Sequence, residues 1–203
     1  MANTKFTEGY IKFKCNWSKG APVSESELSN LQKWRDKLYQ LKLIGAYDNG
    51  IGYGNISERG GRSGFVITGS ATGNAPKLSN QHYTQVEAWD FKQNSLLCSG
   101  PIQASSESLS HAVIYETSPE TGAVIHIHNK ELWQQLMNKV PTTDPSIEYG
   151  TPEMAFEIAR LFRETDVSGQ RILVMAGHEE GIISFGKDLD EAGETLLALF
   201  LYK

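Results

Sequence analysis

Three histidines and one glutamate carry the chemistry this sequence could perform. His126 and His128 stand two residues apart in AVIHIH, residues 123 to 128. An apolar run of that length between turn signals reads as a strand, and alternate side chains of a strand share a face. Both imidazoles therefore point one way, with Ile125 and Ile127 in the opposite layer, and two imidazoles on one face can share a cation. His178 sits in GHEEG between the apolar segments RILVMA and GIISFG. From such a strand end a side chain reaches a site built on a neighbouring strand. Three neutral imidazoles leave positions open on a metal ion, which distinguishes a catalytic site from a structural one. Glu107 follows the small residues Ala104, Ser105 and Ser106 and is placed to supply a fourth ligand. Its plainer reading is a negative charge at a helix start, stabilising by up to about 1 kcal/mol. Two histidines remain. His111, one helical turn after Glu107, either orients it or packs in the core, and His82 in SNQHYTQ reads as exposed.

The elements that must position these residues are a mixture of helices and short strands. Residues 6 to 15 read as an edge strand, and SKGAP after them as a turn. Ser24 and Glu27 form a capping-box pattern ahead of a helix with Leu28, Leu31, Trp34, Leu38 and Leu41 on one face and Gly45 at its stop. Between Asp48 and Gly73 eight glycines interrupt short segments such as FVIT. So many imply turns or close backbone approach to a ligand. Residues 95 to 99 read as a strand and GPIQASSE as the entry to a helix that runs through Tyr115. AVIHIH follows, then a helix from Lys130 to Asn138. The next helix is capped by Thr151 with Pro152 at its first turn, and it runs to about Thr165. The last helix carries Leu189, Ala192, Leu196, Leu199 and Phe200 on one side. The elements do not alternate strictly between strand and helix. They predict an α/β fold of three αβα layers with a central, mostly antiparallel sheet.

Composition bounds the function. A chain of 203 residues, 39% hydrophobic, reads as one domain over 1–203, with 1–23 as an N-terminal extension. A net charge of −5 without a basic cluster argues against nucleic acid as a partner. No apolar stretch is long enough to span a membrane, and MANTKFTEGYIKFK lacks the apolar core of a secretory signal, so a cytoplasmic protein is expected. Cys15 and Cys98 form no CxxC pattern and read as packing residues.

Taken together, GNIS (54 to 57), ITGSATG (67 to 73), ASSE (104 to 107), AVIHIH, YGTPEM (149 to 154) and GHEEGIISFGKDLDEA (177 to 192) resemble the class II aldolase/adducin family, in the same order. The resemblance implies one divalent metal per chain, zinc with manganese or iron as alternatives, held by His126, His128 and His178. Glu107 then contacts the metal and transfers protons. Asn55, Thr72, Gly73, Ser105 and Ser106 become a phosphate cradle. The implied activity is that of a lyase on a small hydroxycarbonyl or sugar-phosphate substrate through a metal-stabilised enediolate, with epimerase, dehydratase and decarboxylase outcomes sharing that intermediate. A homotetramer is implied as well. The other class of function in the family is that of adducin-like binding domains without the catalytic metal. Two departures stand out. Glu179 occupies a position where the family carries glycine, and the segment 129–148 is short and lacks the tyrosine that serves as proton donor, leaving Tyr149 or Tyr202 for that role.

Overall fold

The computed structural model describes residues 9–60 and 64–201. In chain order the elements are β1 (Lys14–Lys19), α1 (Glu25–Gln40), β2 (Gly45–Ala46), β3 (Gly52–Tyr53), β4 (Asn55–Arg59), β5 (Phe65–Thr68), β6 (Tyr83–Asp90), β7 (Ser95–Gly100), α2 (Ser108–Thr117), β8 (Ala123–His128), α3 (Lys130–Leu136), α4 (Pro152–Glu164), α5 (Val167–Gln170), β9 (Ile172–Val174), β10 (Gly181–Gly186) and α6 (Leu189–Leu201). Eight strands form one sheet in the order β1-β7-β6-β5-β4-β8-β10-β9, and β2 with β3 forms a small ribbon. In the large sheet only the edge pair β1 and β7 runs parallel. The expected three-layer, mostly antiparallel αβα architecture is what the chain adopts.

Each face of the sheet has its own core. Leu109, Ile114, Met154 and Ile158 of α2 and α4 pack on one face, with Ile67, Val124 and Ile183. Leu31, Leu38, Leu189 and Leu196 of α1 and α6 pack on the other, with Ile125, Ile127 and Ile182. The alternation of β8 is thereby accounted for. Ile125 and Ile127 fill the α1/α6 layer, and the intervening histidines face the opposite side.

Several local expectations are corrected. The edge strand lies at Lys14–Lys19 and takes in the first two residues of the segment expected as a turn, because Trp17 donates its indole N–H to Gly100 O at 3.0 Å and the backbone pairs with β7. Residues 6–8 of the expected strand lie outside the described residues. Ser24 does cap α1, but its hydroxyl bonds the Glu27 carboxylate at 2.5 Å instead of a backbone N–H, so the capping box does not form. The helix is stopped by Lys42 at φ 57, with Leu43 N–H returning to Leu38 O, and Gly45 belongs to β2. His82 is half-buried, and its Nδ1 accepts from the Ser79 backbone N–H at 3.0 Å. Cys15 and Cys98 do pack in the interior and meet each other, sulfurs 3.7 Å apart, where β1 lies on β7.

His111 belongs to the core. Ser57 Oγ lies 2.7 Å from its Nδ1 and 2.8 Å from the Tyr115 hydroxyl, all three side chains buried. Burial pushes the His111 ring down to about 3. The folded chain keeps it neutral where the unfolded chain, at an ordinary value near 6.5, already binds a proton. Stability therefore falls as pH drops from about 6.5 toward about 3, by up to about 1.4 kcal/mol per pH unit for one such histidine. Thermal melts of metal-free protein are expected to show a falling Tm between about pH 7 and pH 5, and His111→Gln a shallower fall. An unchanged slope in the variant would remove His111 from the account.

Candidate metal centre and active site

The three candidate ligands reach one point from two strands and a turn. β8 runs through the middle of the sheet, where His126 is opposite Asn55 of β4 and Ile183 of β10, and His128 is opposite Gly181. His178 lies on the turn between β9 and β10, held by its backbone N–H to Met175 O and by Gly181 N–H to its own carbonyl. A Cβ at Gly181 would come within 3.2 Å of the His178 ring, so the absence of a side chain there leaves the ring its place. The ring centroids are 4.9 Å (His126–His128), 4.7 Å (His128–His178) and 5.1 Å (His126–His178) apart. One donor nitrogen from each lies within 4.8 Å of the others, and all three residues are buried.

The donor set fits a divalent cation. Burial, and then the neighbouring His128 and His178, hold His126 well below the ordinary histidine range, so the ring is neutral and offers a lone pair. His126 Nε2 is buried and has no hydrogen-bond partner among the described residues, a costly arrangement unless an ion takes up the lone pair. The Nδ1 atoms of His126 and His128 meet polar partners, as the outer nitrogens of metal-bound histidines usually do. Tyr47 Oη lies 2.8 Å from His128 Nδ1 and donates to Glu180 Oε2 at 3.1 Å. The Asn55 side-chain Nδ2 lies 3.3 Å from His126 Nδ1, and its Oδ1 is buried without a partner among the described residues. Amide nitrogen and oxygen exchange places by a flip; with the oxygen turned to the ring, Nδ1 would carry the proton and Nε2 would be left for the ion. Three nitrogens and no thiolate suit zinc, iron or manganese.

Glu107 is fully buried at the N-cap of α2, with Oε1 3.8 Å from His178 Nδ1 and Oε2 accepting from Ser110 Oγ at 2.9 Å. It stands beside the three-histidine group and is not one of the donors that share the 4.8 Å neighbourhood. His111 makes no side-chain bond to it; Ser110 has that place.

Asn55, Thr72, Gly73, Ser105 and Ser106 all line one pocket. Its floor is turn and strand backbone. At Gly73 a Cβ would lie 2.3 Å from Gly45 O, so the 69–73 loop packs on the β2–β3 ribbon only because glycine stands there. Arg35 of α1, itself buried, donates to Thr72 O at 3.1 Å and Gly73 O at 3.2 Å and ties the loop to the helix layer. The pocket adjoins the histidines in two places and Glu107 in a third. Asn55 touches His126, Tyr53 packs 5.5 Å from His128, and Ser105 and Ser106 lead directly into Glu107.

The short 129–148 segment is followed directly by Tyr149. Tyr149 stacks on His178 at 4.3 Å with the rings 21° from parallel, and Lys12 Nζ stands 3.9 Å from the Tyr149 centroid. Tyr202 lies outside the described residues. Glu179 is exposed and pairs with Lys130 at 3.1 Å, so the missing glycine does not alter the site's interior. The sequence alone does not single out Tyr47, Tyr53 or Glu180. Only Tyr53 carries a signal, its place in the glycine-rich segment whose composition implies close approach to a ligand.

Comparison with known proteins agrees with this fold. The family described as the class II aldolase and adducin N-terminal domain matches residues 45–199. Among solved structures, L-fuculose 1-phosphate aldolase superimposes with a TM-score of 0.63 at 19% identity, covering 88% of this chain and 84% of its own. A sugar-phosphate aldolase from Thermotoga maritima gives 0.63 at 17%, covering 86% and 90%. YgbL of Escherichia coli, whose activity is named only as aldolase, epimerase or decarboxylase, gives 0.62 at 17%, covering 86% and 84%. No curated sequence matches significantly. At these identities the structural likeness speaks for the fold, and the match over residues 45–199 speaks for descent. The chain belongs to the class II aldolase and adducin N-terminal domain family.

Proposed function

We propose that the chain is a zinc-dependent lyase of the class II aldolase type, acting on a small hydroxycarbonyl compound that carries a phosphate. The observation that supports this reading best is the group of three buried imidazoles with the Glu107 carboxylate beside it, at the edge of a small polar pocket. A purely structural role for these residues would leave His126 Nε2 buried without return.

A divalent cation held by His126, His128 and His178 supplies Lewis-acid stabilisation of the negative charge that develops on the substrate oxygens when a carbon bond breaks. The protein's own residues do the rest. Glu107, buried and kept in place by Ser110, moves a proton at the reacting carbon or its oxygen. Asn55, Thr72, Gly73, Ser105 and Ser106 receive the phosphate through hydroxyl, amide and backbone N–H groups near the start of α2. Among the described residues no lysine or arginine lines that pocket; the described lining offers dipoles and hydrogen bonds to the phosphate. Among the described residues Tyr149, against His178, is the tyrosine that would stand in for the family's proton donor. A homotetramer follows from the family resemblance and is checked by sedimentation.

Elemental analysis of the purified protein, followed by reconstitution and assay against hydroxycarbonyl phosphates for aldehyde release, tests the reading. About one zinc per chain together with turnover is the expected result. Protein that takes up no metal after reconstitution would instead support an adducin-like binding domain.

A further inference from the structure

Tyr47 is no ligand, yet its hydrogen bonds determine the state of one. Its hydroxyl has a single proton, and that proton goes to Glu180 Oε2 at 3.1 Å, since a carboxylate can only accept. The 2.8 Å contact between Tyr47 and His128 must then run from Nδ1–H to the phenolic oxygen. His128 is left with its proton on Nδ1 and its lone pair on Nε2, the tautomer that can bind a cation through Nε2. Tyr53 keeps the arrangement from turning, with its ring 4.7 Å from Tyr47 and 5.5 Å from His128.

Glu180 is held for this contact at some cost. It occupies the left-handed region at φ 69, unfavourable for a residue with a Cβ. Its carbonyl is tied to Asn129 N–H at 3.1 Å, directly after His128. The turn between β9 and β10 thus contributes both the ligand His178 and the carboxylate that orients the ligand His128.

Resting on the metal-centre reading above, we propose that Tyr47 and Glu180 are positioning residues that hold His128 in its Nδ1-protonated tautomer and thereby set the affinity of the three-histidine group for a divalent cation. Glu180 acts only through Tyr47, so their contributions are coupled and not additive.

The test uses the full chain, stripped of metal, with zinc titrated against a chromophoric chelator and the melting temperature of each metal-free protein recorded alongside. Tyr47→Phe keeps the ring and removes the hydroxyl; it is expected to weaken zinc binding by about 10- to 100-fold. Glu180→Gln is expected to weaken it by less. The double variant should bind about as Tyr47→Phe alone does, a coupling that a general loosening of the structure does not produce. If Tyr47→Phe does not fold, a loss of zinc affinity in Glu180→Gln, with its metal-free melting temperature unchanged, decides in favour. Wild-type affinity in Tyr47→Phe, or losses that simply add in the double variant, would overturn the assignment while leaving the metal centre standing. A wild-type protein that takes up no zinc overturns the metal-centre reading and this proposal with it.

Discussion

His126→Ala is expected to abolish metal binding and, with it, the stabilisation that metal confers. His126 lies at the centre of β8, fully buried, between β4 and β10. Among the described residues no cysteine, aspartate or glutamate joins the three histidines as a substitute donor. Removing one of three ligands leaves two imidazoles, a pair that holds a cation weakly. The effect reaches stability as well as occupancy. A ligand that binds only the folded chain stabilises it by about 4 kcal/mol at a thousand times its dissociation constant. Added zinc should therefore raise the Tm of the wild type by several degrees and leave that of His126→Ala unmoved. The comparison separates loss of the site from damage to the fold, because the metal-free melting temperatures provide the baseline for each protein. A variant that kept one metal per chain and its Tm response would remove His126 from the ligand set.

Much of this site was legible in the sequence because its ligands sit in elements with a clear local pattern. AVIHIH is apolar except at two alternate positions, so the pleat alone aims both histidines at one face. His178 follows an apolar strand, and the chain has to turn there to begin β10. The long helices were legible for the same reason, since the burial of Leu28, Leu31, Trp34 and Leu38 repeats at helical spacing. What stayed hidden depends on pairing between distant segments. β6 contains a register shift between Val86 and Ala88 that breaks the alternation of YTQVEAWD. β4 is short and polar, yet Ser57 is completely buried because Tyr115 and His111 come from α2 to meet it. β1 earns its place from contacts with β7, some 80 residues away, more than from its own sequence. The Glu180–Tyr47–His128 chain is the extreme case. It joins residues separated by 133 and 81 positions, and nothing in the local pattern around Tyr47 marks it.

Glu107→Gln is expected to lower turnover by about 10²- to 10⁴-fold while leaving the metal bound, the range over which a positioned general acid or base contributes. The substitution keeps shape and volume, and the amide oxygen can still accept the Ser110 hydroxyl that fixes the side chain now. The three imidazoles are untouched, and the carboxylate lies beside their group without belonging to it, so occupancy should persist. Only the capacity to take up and return a proton is lost. The cleanest measurement is deuterium uptake from D2O into dihydroxyacetone phosphate, a small hydroxyketone phosphate, because it reports proton removal without requiring the natural substrate. The competing roles separate under the same variant. If Glu107 were an indispensable ligand, Gln would empty the site. If it served only as a negative charge at the start of α2, the variant would lose up to about 1 kcal/mol of stability and no rate. Bound metal with lost exchange is the one outcome that assigns the proton transfer to Glu107, and its burial against His178 is the reason to expect it.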